Sequence, residues 1–194
     1  MSDITSVESG ARFGGSRVVE CWRLRDPETG KRIRDERGRF LPRYLAWTDV
    51  SHNIITNEGL DAALDIMFHG ATQITTWYCV MFESDTTPAS GHTYATPVYT
   101  ELETYDEGTR PEYVEAAASG QSMTNSANKA TFTISATKTL YGAALVGGGT
   151  DPTVKGDAAG GGTLYCSGTF ASSRNVIDDD VVNLSYTLTS ADDA

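Results

Sequence analysis

Three cysteines, Cys21, Cys79 and Cys166, are too scattered, and wrong in number, for a disulfide scaffold or a structural zinc site. No apolar run approaches the roughly 20 residues that a membrane-spanning helix needs. The opening stretch Met1–Glu8 has neither a basic n-region nor an apolar h-region, so no secretory leader is expected. Hydrophobic residues (39%) and charged residues (21%) both fall below the usual share of a globular domain. Glycine, threonine, serine and alanine fill the gap, a composition that suits turns and strands better than a helical bundle.

What charge there is lies unevenly. The net value is -11 over 194 residues. Residues 1–45 carry ten Lys/Arg against seven Asp/Glu, a net of +3, and residues 46–194 carry five against nineteen, a net of −14. An acidic body repels phosphate, so nucleic acid is not an expected partner. The basic run Arg23, Arg25, Lys31, Arg32, Arg34, Arg37, Arg39, Arg43 is interleaved with Asp26, Glu28, Asp35 and Glu36. It reads either as a solvated, salt-bridged hairpin or as an arm that docks on an acidic protein surface.

Residues 1–16 carry little apolar content and read as an extended or disordered tail. From Arg17 to Arg25 the pattern alternates, with Val19, Cys21, Arg23 and Arg25 on one side, as in a strand. Asp26-Pro-Glu-Thr-Gly30 and Asp35-Glu-Arg-Gly38 are turn chemistry, and Phe40–Asp49 resumes as a strand. Residues 17–49 therefore predict a long β-hairpin with a charged tip. Asn57–His69 predicts the one helix: Leu60, Ala63, Leu64, Met67 and Phe68 form a single apolar stripe. Thr56 or Asn57 caps its start and Gly70 its end. The stripe is expected to lie on a sheet or to plug a barrel.

Beyond it the pattern is β. Thr76–Glu83 is apolar on both sides and predicts a central strand. Ala130, Phe132 and Ile134, then Val182, Leu184, Tyr186 and Leu188, alternate inward. Val98–Tyr105 is ambiguous, and Gly147–Gly162 is a glycine-rich connection. The expected fold is mainly β: an antiparallel β-sandwich or jelly-roll-like domain (50–194, with helix 57–69), preceded by an N-terminal β-hairpin arm (1–49).

No chemistry announces itself. His52, His69 and His92 neighbour no nucleophile elbow, and G-x-S-x-G is absent. Asp178-Asp-Asp180 lacks the D-x-D-x-D-G spacing of a calcium loop and reads as a solvated turn. Glu101 and Glu103 share a face only in a strand. Gly147-Gly-Gly-Thr150 and Gly160-Gly-Gly-Thr163 lack the lysine of a phosphate loop. The cysteines read as buried thiols of a protein made in a reducing compartment. Trp77, Tyr78 and Tyr99 read as core rather than as sugar-stacking platforms.

The order of segments Asn53-Ile-Ile-Thr-Asn-Glu-Gly-Leu60, Thr76-Trp-Tyr-Cys-Val-Met-Phe82, Glu107-Gly-Thr-Arg-Pro-Glu-Tyr113, Ser126–Ile134, Tyr141-Gly-Ala-Ala-Leu145, Gly168–Arg174 and Val181–Leu188 resembles small virion structural proteins of tailed bacteriophages. The resemblance covers residues 50–190. It implies a non-enzymatic part in the particle, assembled in the host cytoplasm, with no cofactor or metal and no membrane contact. The preferred role is a head decoration (cement) protein, a homotrimer bound to the major capsid protein. A tail or head–tail adaptor component and a receptor- or carbohydrate-binding module, with Tyr94 as its loop aromatic, are the alternatives. The arm then supplies the contacts: Arg23, Arg25, Arg32, Arg34, Arg37 and Arg39 on acidic capsid surface, with Trp22 and Phe40 as apolar anchors.

Overall fold

Alternation of apolar and polar residues is what the chain uses to build two antiparallel sheets in a computed structural model that describes residues 11–150, 152–156 and 161–192. The strands are β1 (Ala11–Arg23), β2 (Tyr44–His52), β3 (Ile54–Ile55), β4 (Trp77–Phe82), β5 (Ser122–Thr124), β6 (Ala130–Thr133), β7 (Lys138–Gly147), β8 (Thr163–Val176) and β9 (Val181–Asp192). One sheet runs β2-β1-β9-β5, with β6 also on β9, and the other runs β3-β8-β7-β4. The core lies between them. Val19 and Cys21 of β1, Phe132 of β6 and Val182, Leu184 and Tyr186 of β9 meet Cys79, Met81, Leu140, Leu145, Cys166 and Val176 from the other sheet. The fold is thus an antiparallel sandwich with one helix and an N-terminal hairpin.

The hairpin does not stand apart as an arm. β1 pairs with β2 from Ser16↔His52 to Arg23↔Tyr44, and with β9 along its whole length. Residues 11–16, expected as tail, are the first part of β1, opposite Thr187–Asp192. The predicted boundary at residue 49 therefore crosses the main sheet, and only residues 24–43 project from it. The expected tail residues 1–10 and the ends of the acidic C-terminus lie outside the described residues.

β4, expected to be central, ends its sheet's order, but its free edge is covered by irregular chain. Leu102 N donates to Met81 O, Glu83 N to Thr100 O, Cys79 N to Pro111 O and Tyr113 N to Trp77 O, each at 2.8–2.9 Å. That covering explains why the strand is apolar on both sides: Val80, Ala144, Val146 and Leu164 form a second small core on the outer face, roofed by Tyr94 and Tyr99.

Helix α1 (Asn57–Phe68) departs from its expected role. Thr56 caps it, with Gly59 N donating to the Thr56 hydroxyl at 3.0 Å, and Gly70 follows its end at φ 73. Its first turn is fastened to the body: Thr56 N donates to Tyr165 O, and the Glu58 carboxylate accepts from Leu164 N and Tyr94 N. Gly59 makes the close approach, since a Cβ there would stand 2.5 Å from Tyr165 O. In the later turns Ala62, Ala63 and Ile66 are half-buried, but the other side of the helix is open. Leu64, Met67 and Phe68 are 52%, 62% and 77% exposed, so the apolar stripe is a surface, not core.

Two arginines are built into the sandwich. Arg17 is fully buried and donates to the His52 and Thr169 carbonyls, with its guanidinium 5.6 Å from the Phe170 ring. Arg23 donates through Nε and Nη2 to both Asp180 oxygens at 2.8–3.0 Å, and through Nη2 to Asn175 O. Asp180 is fully buried and also accepts from Ile177 N and the Cys21 thiol. The turn Asp178–Asp180 is therefore not simply solvated, because its third carboxylate is the counter-ion of β1. Burial pushes all three thiols up, Cys166 to about 12, so none is poised for chemistry.

Two expectations follow. Asp180→Asn leaves Arg23 buried without its counter-charge and lowers unfolding free energy by about 3–5 kcal/mol, measured by chemical denaturation. Gly59→Ala forces the helix off β8 and costs about 1–3 kcal/mol in the same measurement.

Candidate functional site

The segment between β1 and β2 folds by local turn chemistry into a small meander outside the sandwich. Asp26 closes the first turn by accepting from Thr29 N, Thr29 Oγ1 and Glu28 N at 2.8–3.1 Å, with Gly30 at φ 66. Asp35 closes the second by accepting from Arg37 N and Arg39 N at 2.9 Å, with Gly38 at φ 77. Backbone bridges Arg25↔Arg32 and Arg34↔Phe40 hold the three short runs side by side. The base is tied to the β8–β9 turn, where Arg43 donates to Asp179 O and Arg25 lies 3.6 Å from the Asp179 carboxylate.

The meander carries six of the expected contact residues and leaves two, Trp22 and Arg23, in the sandwich. Phe40 is 50% exposed, with the Arg34 guanidinium 3.7 Å and the Arg32 guanidinium 4.8 Å from its ring centroid. Arg25, Arg32, Arg34 and Phe40 line one open concavity together with Lys31 of the same basic run. Arg37 and Arg39 lie on the second turn, Arg39 paired with Asp35 at 2.7 Å. Arg23 does not belong here: it is 7% exposed and committed to Asp180. Trp22 is half-buried on the outer side of β1, away from the concavity. Among the described residues, Lys31, Arg32, Arg34 and Arg37 have no carboxylate within ion-pair distance.

The body is the electrostatic opposite. Its cations are already engaged: Arg110 with Glu101 at 2.5 Å, Lys129 with Glu20, Lys138 with Glu83, Arg174 with Asp49, and Lys155 on the Tyr105 carbonyl and ring. Its surface carboxylates have little left to neutralise them.

A second concave region lies under the 94–101 loop, lined by Tyr94, Pro97, Tyr99, Glu101, Glu103 and Arg110. Its polar groups are mostly spent on one another. Arg110 donates to both Glu101 oxygens, to the Tyr94 hydroxyl and to Pro152 O, and Glu101 also accepts from Gly156 N. Burial raises the Glu101 carboxyl above the ordinary range, against the pull of Arg110. This is a clasp joining four loop segments. Tyr94, the aromatic on which a sugar site would depend, is 3% exposed, and Tyr99 is stacked on Phe82 at 4.9 Å. Neither ring offers an open platform. Glu101 is buried while Glu103 is exposed, so the two do not form a matched carboxylate pair.

Among the described residues no three His, Cys, Asp or Glu side chains cluster as a metal ion requires, and no helix is long and apolar enough to cross a membrane. No protein-family model matches the chain, and no curated protein does.

The turn carboxylates give the meander a pH signature. Hydrogen bonds, led by Thr29 N on Asp26 and Arg39 N on Asp35, hold both carboxyls below their ordinary value. A depressed folded-state pKa contributes order above the unfolded value and loses it as pH falls through the folded one. The Thr29 and Arg39 amide resonances are expected to titrate together below the ordinary aspartate midpoint, with the core resonances unmoved. Asp35→Ala should abolish the Arg39 response alone.

Proposed function

We propose that the chain is a non-enzymatic structural protein of a bacteriophage particle, a capsid decoration protein that docks through the 24–43 meander on the major capsid protein. The observation that carries this reading is the division of charge. Uncompensated cations and an exposed aromatic stand together on a meander outside the core, while the body's own cations are internally engaged. Such a layout suits a protein that meets an acidic protein surface with a small, dedicated element and turns an acidic body to solvent. The clasped Tyr94 region supports this reading over the carbohydrate-binding alternative, since its aromatic and charged groups hold loops together rather than face a ligand. Many such contacts on one particle reinforce a shell without any single one being strong.

The copy number of the chain per virion, measured against the major capsid protein by gel densitometry, tests the reading. Near-equal copies support decoration of the whole head. A few copies per particle point to the tail or its vertex, and absence from purified virions overturns a structural role. Replacing Arg32, Arg34 and Arg37 with Ser is expected to lower occupancy roughly tenfold at low salt, with the deficit shrinking as salt rises and screens the wild type's contacts. Unchanged occupancy rejects the meander as the docking element.

A further inference from the structure

Two exposed patches are left uncovered by the chain itself, and they lie at opposite ends of the sandwich. The first is the meander's concavity, with Phe40 between Arg32 and Arg34 and with Arg25 and Lys31 at its rim. The second is the outer side of α1. There Asp61, Leu64, Asp65 and Phe68, at positions i, i+3, i+4 and i+7, share one face, with Met67 beside them, and all five are exposed. The helix has no basic residue in its last turn, and its only carboxylate tied to the body is Glu58. One patch is cationic and aromatic, the other anionic and apolar. Ion pairs and apolar contact are both available between them, which neither patch offers to its own kind.

They cannot meet within one chain. Arg23 at the root of the meander touches Asn175 of β8, and Gly59 of α1 rests on Tyr165 of the same strand. The rise of a β-strand sets these two points roughly 30 Å apart. Arg25, Arg43 and Asp179 hold the meander at its own end.

From this opposition we infer that the concavity around Phe40 takes the Asp61–Phe68 face of α1 on a second copy of the chain. The contact is heterologous, head to tail, so it closes into a ring of copies when the rotation between neighbours allows. It covers the apolar stripe that the sandwich leaves bare, and exposed apolar surface of this kind marks an interaction site. The second turn, with Arg37 and Arg39, stays free for a different surface. This inference rests on the meander being a docking element, not on which particle carries it.

Sedimentation velocity on the isolated full chain tests it. The wild type is expected to form a discrete oligomer at low ionic strength that dissociates as salt rises. Arg32→Glu with Arg34→Glu, and separately Asp61→Arg with Asp65→Arg, should each leave a monomer with an unchanged thermal melt, since all four sites are exposed. The chain carrying all four reversals should assemble again. Phe40→Ser and Phe68→Ser should each weaken assembly by roughly thirtyfold or more. Mixing the Arg32/Arg34 variant with Phe68→Ser should stop at a one-to-one pair, because each partner keeps one working face. A wild type that stays monomeric at low salt overturns the inference. So does an oligomer indifferent to both reversals, a fourfold variant that fails to reassemble, or a monomer whose concavity instead binds a DNA duplex. Absence of the chain from virions would remove the capsid reading and leave the sedimentation result standing.

Discussion

The ion pair between Arg23 and Asp180 sits where β1 ends, where β8 turns into β9, and where the meander leaves the sandwich. A buried guanidinium is tolerable only with a counter-charge and full hydrogen bonding. Asp180 supplies the charge, and Asn175 O takes a further N–H. The same carboxylate accepts from Ile177 N and so shapes the turn that holds Arg25 and Arg43 through Asp179. Removing it would unsettle at once the end of the core strand, the turn and the footing of the docking element.

With that end fixed, the rest of the molecule is polar in the geometric sense. The sandwich has a cationic, aromatic end and an end capped by a helix that is fastened to it through its first turn. Between them run two layers of core, one between the sheets and one under the 94–110 loops, joined to the surface by the Arg110–Glu101 clasp. The buried charges act as fasteners. Arg17 joins β1 to the carbonyls of His52 and Thr169, Arg23 joins β1 to the β8–β9 turn, and Arg110 joins four loop segments. Each joins parts of the chain that are far apart in sequence. Specific placement of loops and meander, more than bulk stability, is what such pairs provide here.

For function this leaves a division of labour. The sandwich supplies rigidity, the turns at Asp26 and Asp35 give the meander its shape, and in the proposed function the surface cations and Phe40 are the recognising groups. The three thiols are buried and burial holds them protonated, and the clasped Glu101 carboxylate accepts from Arg110 and Gly156 N. Structure in the service of assembly is the reading that uses the most of what the chain has built.

The strands, turns and helix were legible in the sequence because their causes are local. Ala130, Phe132, Ile134 and Val182, Leu184, Tyr186 point inward by period-two alternation, and all are buried. Asp26 with Gly30 and Asp35 with Gly38 made their turns within five residues, and Thr56 and Gly70 bounded the helix as their chemistry requires. The fate of the arginines was not legible. Arg23 and Arg25 share a side in the alternating pattern, yet β1 ends at Arg23, which is buried against Asp180 from 157 residues away, while Arg25 is exposed. For the same reason Asp180 could not be told from its solvated neighbours, nor Arg17 from a surface cation. The stripe on α1 was read correctly as apolar but wrongly as covered, since periodicity shows which residues share a face and not what lies beneath it. Short-range geometry is written in residue order, whereas which charge is buried and which apolar face is left bare depends on elements that meet only when the two sheets close.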